Sequence, residues 1–276
     1  MRIGFALPNP YLAFWAIIGH AIKERSDELG DTLAILTTSN VADQVRIVDH
    51  FVDQRVDALI VGPVESHGLA PSVQRAIDAG IPVVVIDIAI QGVQVACMVG
   101  SDNLAGARLA AEYLAARLGG RGDLVHLQGP LTSESAVHRS QGFRDVLSRH
   151  PDMRVVFDDS GDWTRESGAR LMRAALAAHP GASAVFAGND TMALGALDEI
   201  AAAGRAGEIL VVGFDAAPDA LRALHSGGLA ATVRQLPRDM GRMAVDIARR
   251  AASGEAVPAL VHTGVALITA DNLMEA

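Results

Sequence analysis

Two polar residues at the ends of neighbouring apolar segments are the first sign of chemistry in this chain. Residues 184–187 form an apolar run that stops at Gly188-Asn189-Asp190, and residues 209–213 form another that stops at Phe214-Asp215. Both runs read as buried parallel strands, with a helix opening after the first. Ligands of open parallel sheets lie outside the carboxyl ends of the strands, which places Asn189 and Asp215 at a binding edge. An amide and a carboxylate both accept hydrogen bonds from hydroxyls, so the pair suits a small polyhydroxylated ligand. Other residues fall at comparable strand ends. Asn9, Phe14 and Trp15 follow residues 3–7, Asp87 follows 83–86, Arg139 comes after 124–127, Trp163 after 154–157 and Gln235 after 229–233. The chain has only two tryptophans, and both are in this set. An indole face suits the C–H face of a sugar or polyol, while carboxylates and arginine take its hydroxyl rim. The alternatives are core packing for each tryptophan, helix N-capping for Asp87 and Asp215, and a helix surface for Arg139.

The chemistry that is missing narrows the class. Residues 118–123 are glycine-rich but follow a helix and precede a strand, the wrong order for a dinucleotide fingerprint, so they read as a turn. There is no P-loop and no Gly-x-Ser-x-Gly elbow, and the nine histidines are scattered without metal-ligand spacing. His138 alone falls near the edge, in a solvated or supporting role. No acid and base are paired as sugar hydrolysis requires. The expectation is binding without catalysis: no enzyme, no cofactor and no metal.

The elements that must position these residues alternate along 276 residues, enough for two compact domains. Short Val-, Ile- and Leu-rich strands are expected over 3–7, 33–36, 58–61, 83–86, 95–99, 124–127, 154–157, 184–186 and 209–212. Amphipathic helices separate them, over about 15–29, from Asn40 as N-cap, over 104–118 and over 165–178. This is an α/β fold with mostly parallel sheet, covered by helices on both faces. After Gly228 the pattern changes to strand 229–233, helix 238–252 and short strands 258–262 and 265–269, a tail that returns to the first domain and crosses back. The formal charge, 23 − 32 = −9, argues against a nucleic-acid or anionic-membrane surface. The single Cys97 lies in an apolar run and reads as a buried structural thiol. No apolar run reaches membrane-span length, and MRIGFAL carries neither the apolar region nor the cleavage site of a signal peptide.

Residues 101–103 (Ser-Asp-Asn), 127–129 (Leu-Gln-Gly), 139–143, 186–197 (FAGNDTMALGAL), 211–215 (VVGFD), 229–233 and 235–237 together carry a resemblance. The chain resembles the periplasmic sugar-binding proteins of the ribose-binding type, over nearly its whole length. The resemblance implies two doubly wound parallel-sheet lobes joined by three hinge crossings, residues 1–101 with 236–262 and residues 102–235 with 263–276. It implies a ligand trapped as the lobes close, and an ABC transporter permease that receives it from a monomeric protein at most peripheral to the membrane. Phe14 and Trp15 match the paired aromatics after the first strand, and Trp163 matches the aromatic stacking from the other lobe. Asp87, Arg139, Asn189, Asp215 and Gln235 match hydrogen-bonding positions, and Asn9 matches through a longer loop. Ribose binders carry Asn where this chain has Gly62, and Arg where it has Ile88. The implied ligand is therefore a neutral sugar or polyol of another stereochemistry or size. The implied compartment is the periplasm or cell surface, with the leader outside the given chain. The alternative is the effector-binding core of a lac-repressor-type transcription regulator, which would be cytoplasmic.

Overall fold

A short run of β-branched residues with no polar face can bury both its sides only beneath helices. The computed structural model, which describes residues 1–11 and 13–273, gathers such runs into two sheets. The chain divides into two compact units, Met1–Ser101 with Leu236–Gly264 and Asp102–Gln235 with Val265–Ala276. It therefore passes from one unit to the other three times.

The first unit begins with β1 (Arg2–Pro8), α1 (Ala13–Glu28), β2 (Thr32–Thr38), α2 (Val41–Asp53), β3 (Ala58–Val61), α3 (Ala70–Asp78), β4 (Val83–Ile86) and β5 (Cys97–Ser101). The second unit follows with α4 (Asn103–Leu118), β6 (Arg121–Gln128), α5 (Glu134–Leu147), β7 (Asp152–Ser160), α6 (Arg165–Ala178) and β8 (Ala184–Ala187). It continues through α7 (Asp190–Ala202), β9 (Leu210–Asp215), α8 (Pro218–His225) and β10 (Ala231–Arg234). Then α9 (Pro237–Ala252) and β11 (Leu260–Thr263) return to the first unit, and β12 (Ala266–Ile268) belongs to the second. The sheet orders are β11-β5-β4-β3-β1-β2 and β12-β10-β9-β8-β6-β7. Every described pairing is parallel except that of β12 with β10.

Alternation along the strands divides each core into two layers. In the first unit Ile60, Val84 and Ile86 pack with Ile18 and Ile22 of α1 and with Met240 and Ala244 of α9. Their neighbours Leu59, Val61, Val83 and Val85 face the other way, onto Phe51 of α2 and Val73 of α3. In the second unit Val125, Val185 and Val211 face α6 and α7, while Leu124, Phe186 and Val212 face α4 and α5. Asn40 caps α2 as expected, its Oδ1 accepting from the Asp43 N–H at 2.8 Å.

Several expected strand boundaries move, and two of the shifts have a direct cause in the pairing. The strand expected over 95–99 runs Cys97–Ser101, because its register is fixed by Val84↔Cys97 on one side and Leu260↔Met98 on the other. The last crossing follows Gly264 rather than residue 262, because Thr263 still pairs with Ser101 inside the first sheet. Among the described residues no helix is long and apolar enough to cross a membrane.

Candidate ligand-binding site

Each unit presents its candidate residues at the carboxyl ends of its strands. The second unit draws five of them into one connected cluster. Arg139 lies on α5 with 6% of its surface exposed, so it is not the helix-surface residue that was the alternative. A guanidinium stays charged and must be partnered when buried. Its Nε donates to Asn103 Oδ1 at 2.8 Å and its Nη1 to the Gly188 carbonyl at 2.7 Å, with Asp215 Oδ1 3.4 Å from Nη1. Its Cζ also stands 3.7 Å from the centre of the Phe214 ring and 5.6 Å from that of Trp163, a placement that adds cation–π attraction.

Asp215 ends β9 and accepts from Gln235 Nε2 at 2.7 Å. Its side chain keeps 32% of its surface exposed, yet partial desolvation still pushes its carboxyl above the ordinary range, against Arg139 and Gln235, which pull it down. It is not an N-cap: Ala217 occupies that position for α8. Asp87 is not one either, since β5 and not a helix follows it in the chain. Asn189 does cap a helix. Its Oδ1 accepts from the Met192 N–H at 2.9 Å and its Nδ2 donates to the Trp163 carbonyl at 3.2 Å, which leaves one N–H and one lone pair for a ligand.

Trp163 and Trp15 are each seated on glycine. A Cβ at Gly129 would stand 2.0 Å from Trp163 Cη2, and one at Gly188 3.1 Å from Cζ3. In the first unit a Cβ at Gly62 would stand 2.5 Å from Trp15 Cζ3. Trp15, 7% exposed, also joins the core of its unit, so packing and edge placement coexist in one side chain. Phe14 meets it edge-on, ring centres 5.5 Å apart and planes at 84°. The Gly62 that departs from the ribose-binder pattern is thus the seat of an indole, and a side chain there would displace the ring. Around this pair, Asn9 follows β1 and Asp87 follows β4, with β3 and Gly62 between those strands. Asn9 Oδ1 accepts from the Tyr11 N–H at 3.2 Å, and the Asn9 N–H donates to the Thr38 carbonyl at 2.9 Å.

Five described non-glycine residues have positive φ, and Asp87 (71°), Trp163 (69°) and Asp215 (113°) are three of them. Such conformations cost of order 1–3 kcal/mol each and concentrate at functional positions. Three of the five thus fall on candidate residues, the others being Arg55 after α2 and Ala216 beside Asp215.

Sequence reasoning missed Asp190, which follows the Asn189 cap and is fully buried. Burial, then the charge of Asp215, lifts its carboxyl well above the ordinary range. The available signal was Gly213. A glycine inside an apolar strand marks a close approach, and a Cβ there would stand 2.1 Å from Asp190 Oδ1. Among the described residues no His, Cys, Asp and Glu group could hold a metal ion.

The helix that carries Arg139 rests on a second buried polar group. Ser140 Oγ donates to Gln128 Oε1 at 3.1 Å, and both Arg144 and Gln128 Nε2 donate to Asp158. His126 stacks against Phe186, with Nδ1 3.2 Å from Asp158 Oδ1 but not aligned as a hydrogen bond. Burial depresses the His126 pKa below 6.5 although Asp158 pulls it up. Burial raises Asp158, but the imidazole, guanidinium and amide around it outweigh this and hold it below the ordinary range. The unfolded chain therefore takes up protons that native His126 and Asp158 refuse. Their stability contribution is complete above about pH 6.5, declines below it through His126, and declines further below about pH 4 through Asp158. Asp190 and Asp215, with raised values, act with the opposite sign. Urea unfolding at about pH 7.5 and about pH 5 is expected to show His126→Asn losing less stability on acidification than the wild type, by about 1 kcal/mol. Equal losses would exclude His126 as the source.

A family model, described as a periplasmic binding protein domain, matches residues 3–256. The chain is similar to a ribose import binding protein of Salmonella typhimurium, 33% identical over 263 residues, 95% of this chain and 87% of that one. It is 36% identical to a D-ribose/D-allose-binding protein of Pseudomonas aeruginosa, over 98% of this chain and 89% of the other. A solved ABC transporter solute binding protein from Bacillus halodurans with bound myo-inositol matches with a TM-score of 0.89 at 31% identity, covering 99% of this chain and 96% of that one. These relatives are binding proteins.

Proposed function

The chain belongs to the periplasmic binding protein family, and from that premise we propose that it binds a neutral sugar or polyol and delivers it to an ABC permease, without catalysis. The observation that carries this reading is the cluster of Arg139, Asp215 and Gln235 beside a glycine-seated indole at strand carboxyl ends. Asp215 has unspent acceptor capacity that hydroxyl donors would fill, and hydrogen bonds to ionised groups contribute roughly 1.5–3 kcal/mol each. An anionic ligand at this cluster would meet Asp215 with Arg139 already engaged. Each unit supplies one polar and aromatic edge, and ligand favours the form of the protein it contacts best. On this reading the protein works as a monomer in the periplasm or at the cell surface. Sedimentation as a dimer would favour the regulator core instead.

A thermal-shift panel tests the ligand class. Neutral pentoses, hexoses and polyols are expected to include one that raises Tm by several degrees, since ligand at a hundred times Kd adds about 2.7 kcal/mol. Stabilisation by sugar acids or sugar phosphates with none from neutral members would overturn the proposal, and product formed on incubation with the stabilising sugar would overturn its non-catalytic part.

A further inference from the structure

We propose that Asp190 and Thr232, both fully buried and so out of reach of any ligand, are positioning residues that fix the turn carrying Asp215 and aim its carboxylate at the sugar. The proposal rests on the sugar-binding reading above and extends it to two residues behind the edge.

The turn needs an explanation. Asp215 has φ 113° and the next residue, Ala216, has φ 53°, two successive side-chain-bearing residues in the half of conformational space that glycine favours. Surrounding structure must over-determine such a conformation for it to persist. Three hydrogen bonds do this. The Ala217 N–H donates to Asp190 Oδ2 at 2.7 Å, the Thr232 hydroxyl donates to Asp190 Oδ1 at 2.6 Å, and the Ala216 N–H donates to Thr232 Oγ1 at 3.2 Å. The donors and acceptors match: the single hydroxyl proton of Thr232 goes to Asp190, and a lone pair of the same oxygen receives the turn's Ala216 N–H. Both anchors come from rigid elements, Asp190 from the first residue of α7 and Thr232 from β10. Gly213 supplies the space, since any side chain there would strike Asp190.

Burying a carboxylate beside a second one is unfavourable. The groups whose charges act on Asp190 are Asp215, which raises its pKa, and Arg139, which lowers it. A turn that only had to connect β9 to α8 could use glycine at residues 215 and 216 and an apolar residue at 190. What the polar anchor adds is a fixed direction for the Asp215 side chain, which Gln235 then grips from the far end of β10.

The experiment is titration calorimetry with D-ribose, D-allose or myo-inositol, whichever stabilises the wild type most. Thr232→Val keeps the shape and removes the hydroxyl, and is expected to weaken binding about tenfold, or about 1.4 kcal/mol. Thr232→Ser restores the hydroxyl and should bind within about threefold of the wild type. A role through Asp215 predicts non-additivity: added to Asp215→Asn, Thr232→Val should cost less than about threefold. A general loss of stability would instead be additive. Unchanged affinity in Thr232→Val, failure of serine to rescue, or an undiminished loss in the Asp215→Asn background would each overturn the proposal. Wild-type affinity in Asp215→Asn together with Asp215→Ala would show the sugar-binding reading of this edge to be wrong, which is a different result.

Discussion

Arg139→Ala is expected to weaken sugar binding by about a hundredfold or more and to lower the unfolding free energy by about 3–5 kcal/mol. The loss exceeds that of one hydrogen bond because of what stays behind. Asn103 Oδ1 and the Gly188 carbonyl each lose a donor. Asp215 loses the cation that offsets its burial, and the charge of Asp190 loses the same compensation. Gln235 still donates to Asp215, and Thr232 and the Ala217 N–H to Asp190, but two neighbouring carboxylates would be left with no cation, and removing one partner of such an ion pair is among the few causes of losses this large. The Phe214 and Trp163 rings also lose the plane stacked near them. Arg139→Lys separates charge from geometry. It keeps the cation but cannot serve Asn103, Gly188 and Asp215 together through one planar fork, so it should retain most of the stability and still bind weakly. Urea unfolding and calorimetry on both variants test this, and wild-type affinity in Arg139→Ala would refute the assignment of Arg139 to the site.

How far the sequence leads depends on the distance over which each feature is decided. The strands are local: a run such as Val83–Ile86 has no polar face, and it is a strand in the structure over the same four residues. The helices α3 and α8, nine and eight residues long, are too short to show in the sequence, because a hydrophobic period needs a window of about 11–18 residues to emerge. Strand ends are also local, which is why Asn189 and Asp215 were legible as an edge. Arg139 was harder. An arginine on a helix is ordinarily exposed, and its burial depends on Asn103, 36 positions earlier, and Gly188, 49 positions later. In the sequence Asn189 reads as a ligand group, and its second task as cap of α7 follows only from the Met192 N–H above it. Gly62 was legible only as a missing amide. The indole that fills its place comes from α1, 47 positions away, and no local pattern records that exchange.

Such exchanges of side chain for ring lead to the second large effect. Gly129→Ala is expected to weaken sugar binding by roughly thirtyfold, about 2 kcal/mol, while the protein remains folded. The added methyl would lie 2.0 Å from Trp163 Cη2 and 2.3 Å from Cζ2, so the indole must leave its seat. Its backbone cannot follow, because the Trp163 carbonyl is held by Asn189 and its φ is already 69°. Rotation about the side-chain bonds is what remains, and it turns the ring away from the plane that would face a sugar. Overpacking of this kind costs about 1–3 kcal/mol of stability, which leaves a folded protein for the binding assay. In a Trp15→Phe background Trp163 is the sole tryptophan, and its fluorescence should respond to sugar. Adding Gly129→Ala should remove that response. Trp163→Phe, with a smaller ring, should recover part of the affinity lost in Gly129→Ala, because the overlap with the new methyl is relieved while an aromatic face is kept. Undiminished binding in Gly129→Ala would mean that Trp163 packs beside the edge without touching the ligand, and the aromatic half of the proposed grip would then have to come from Phe14 and Trp15 alone.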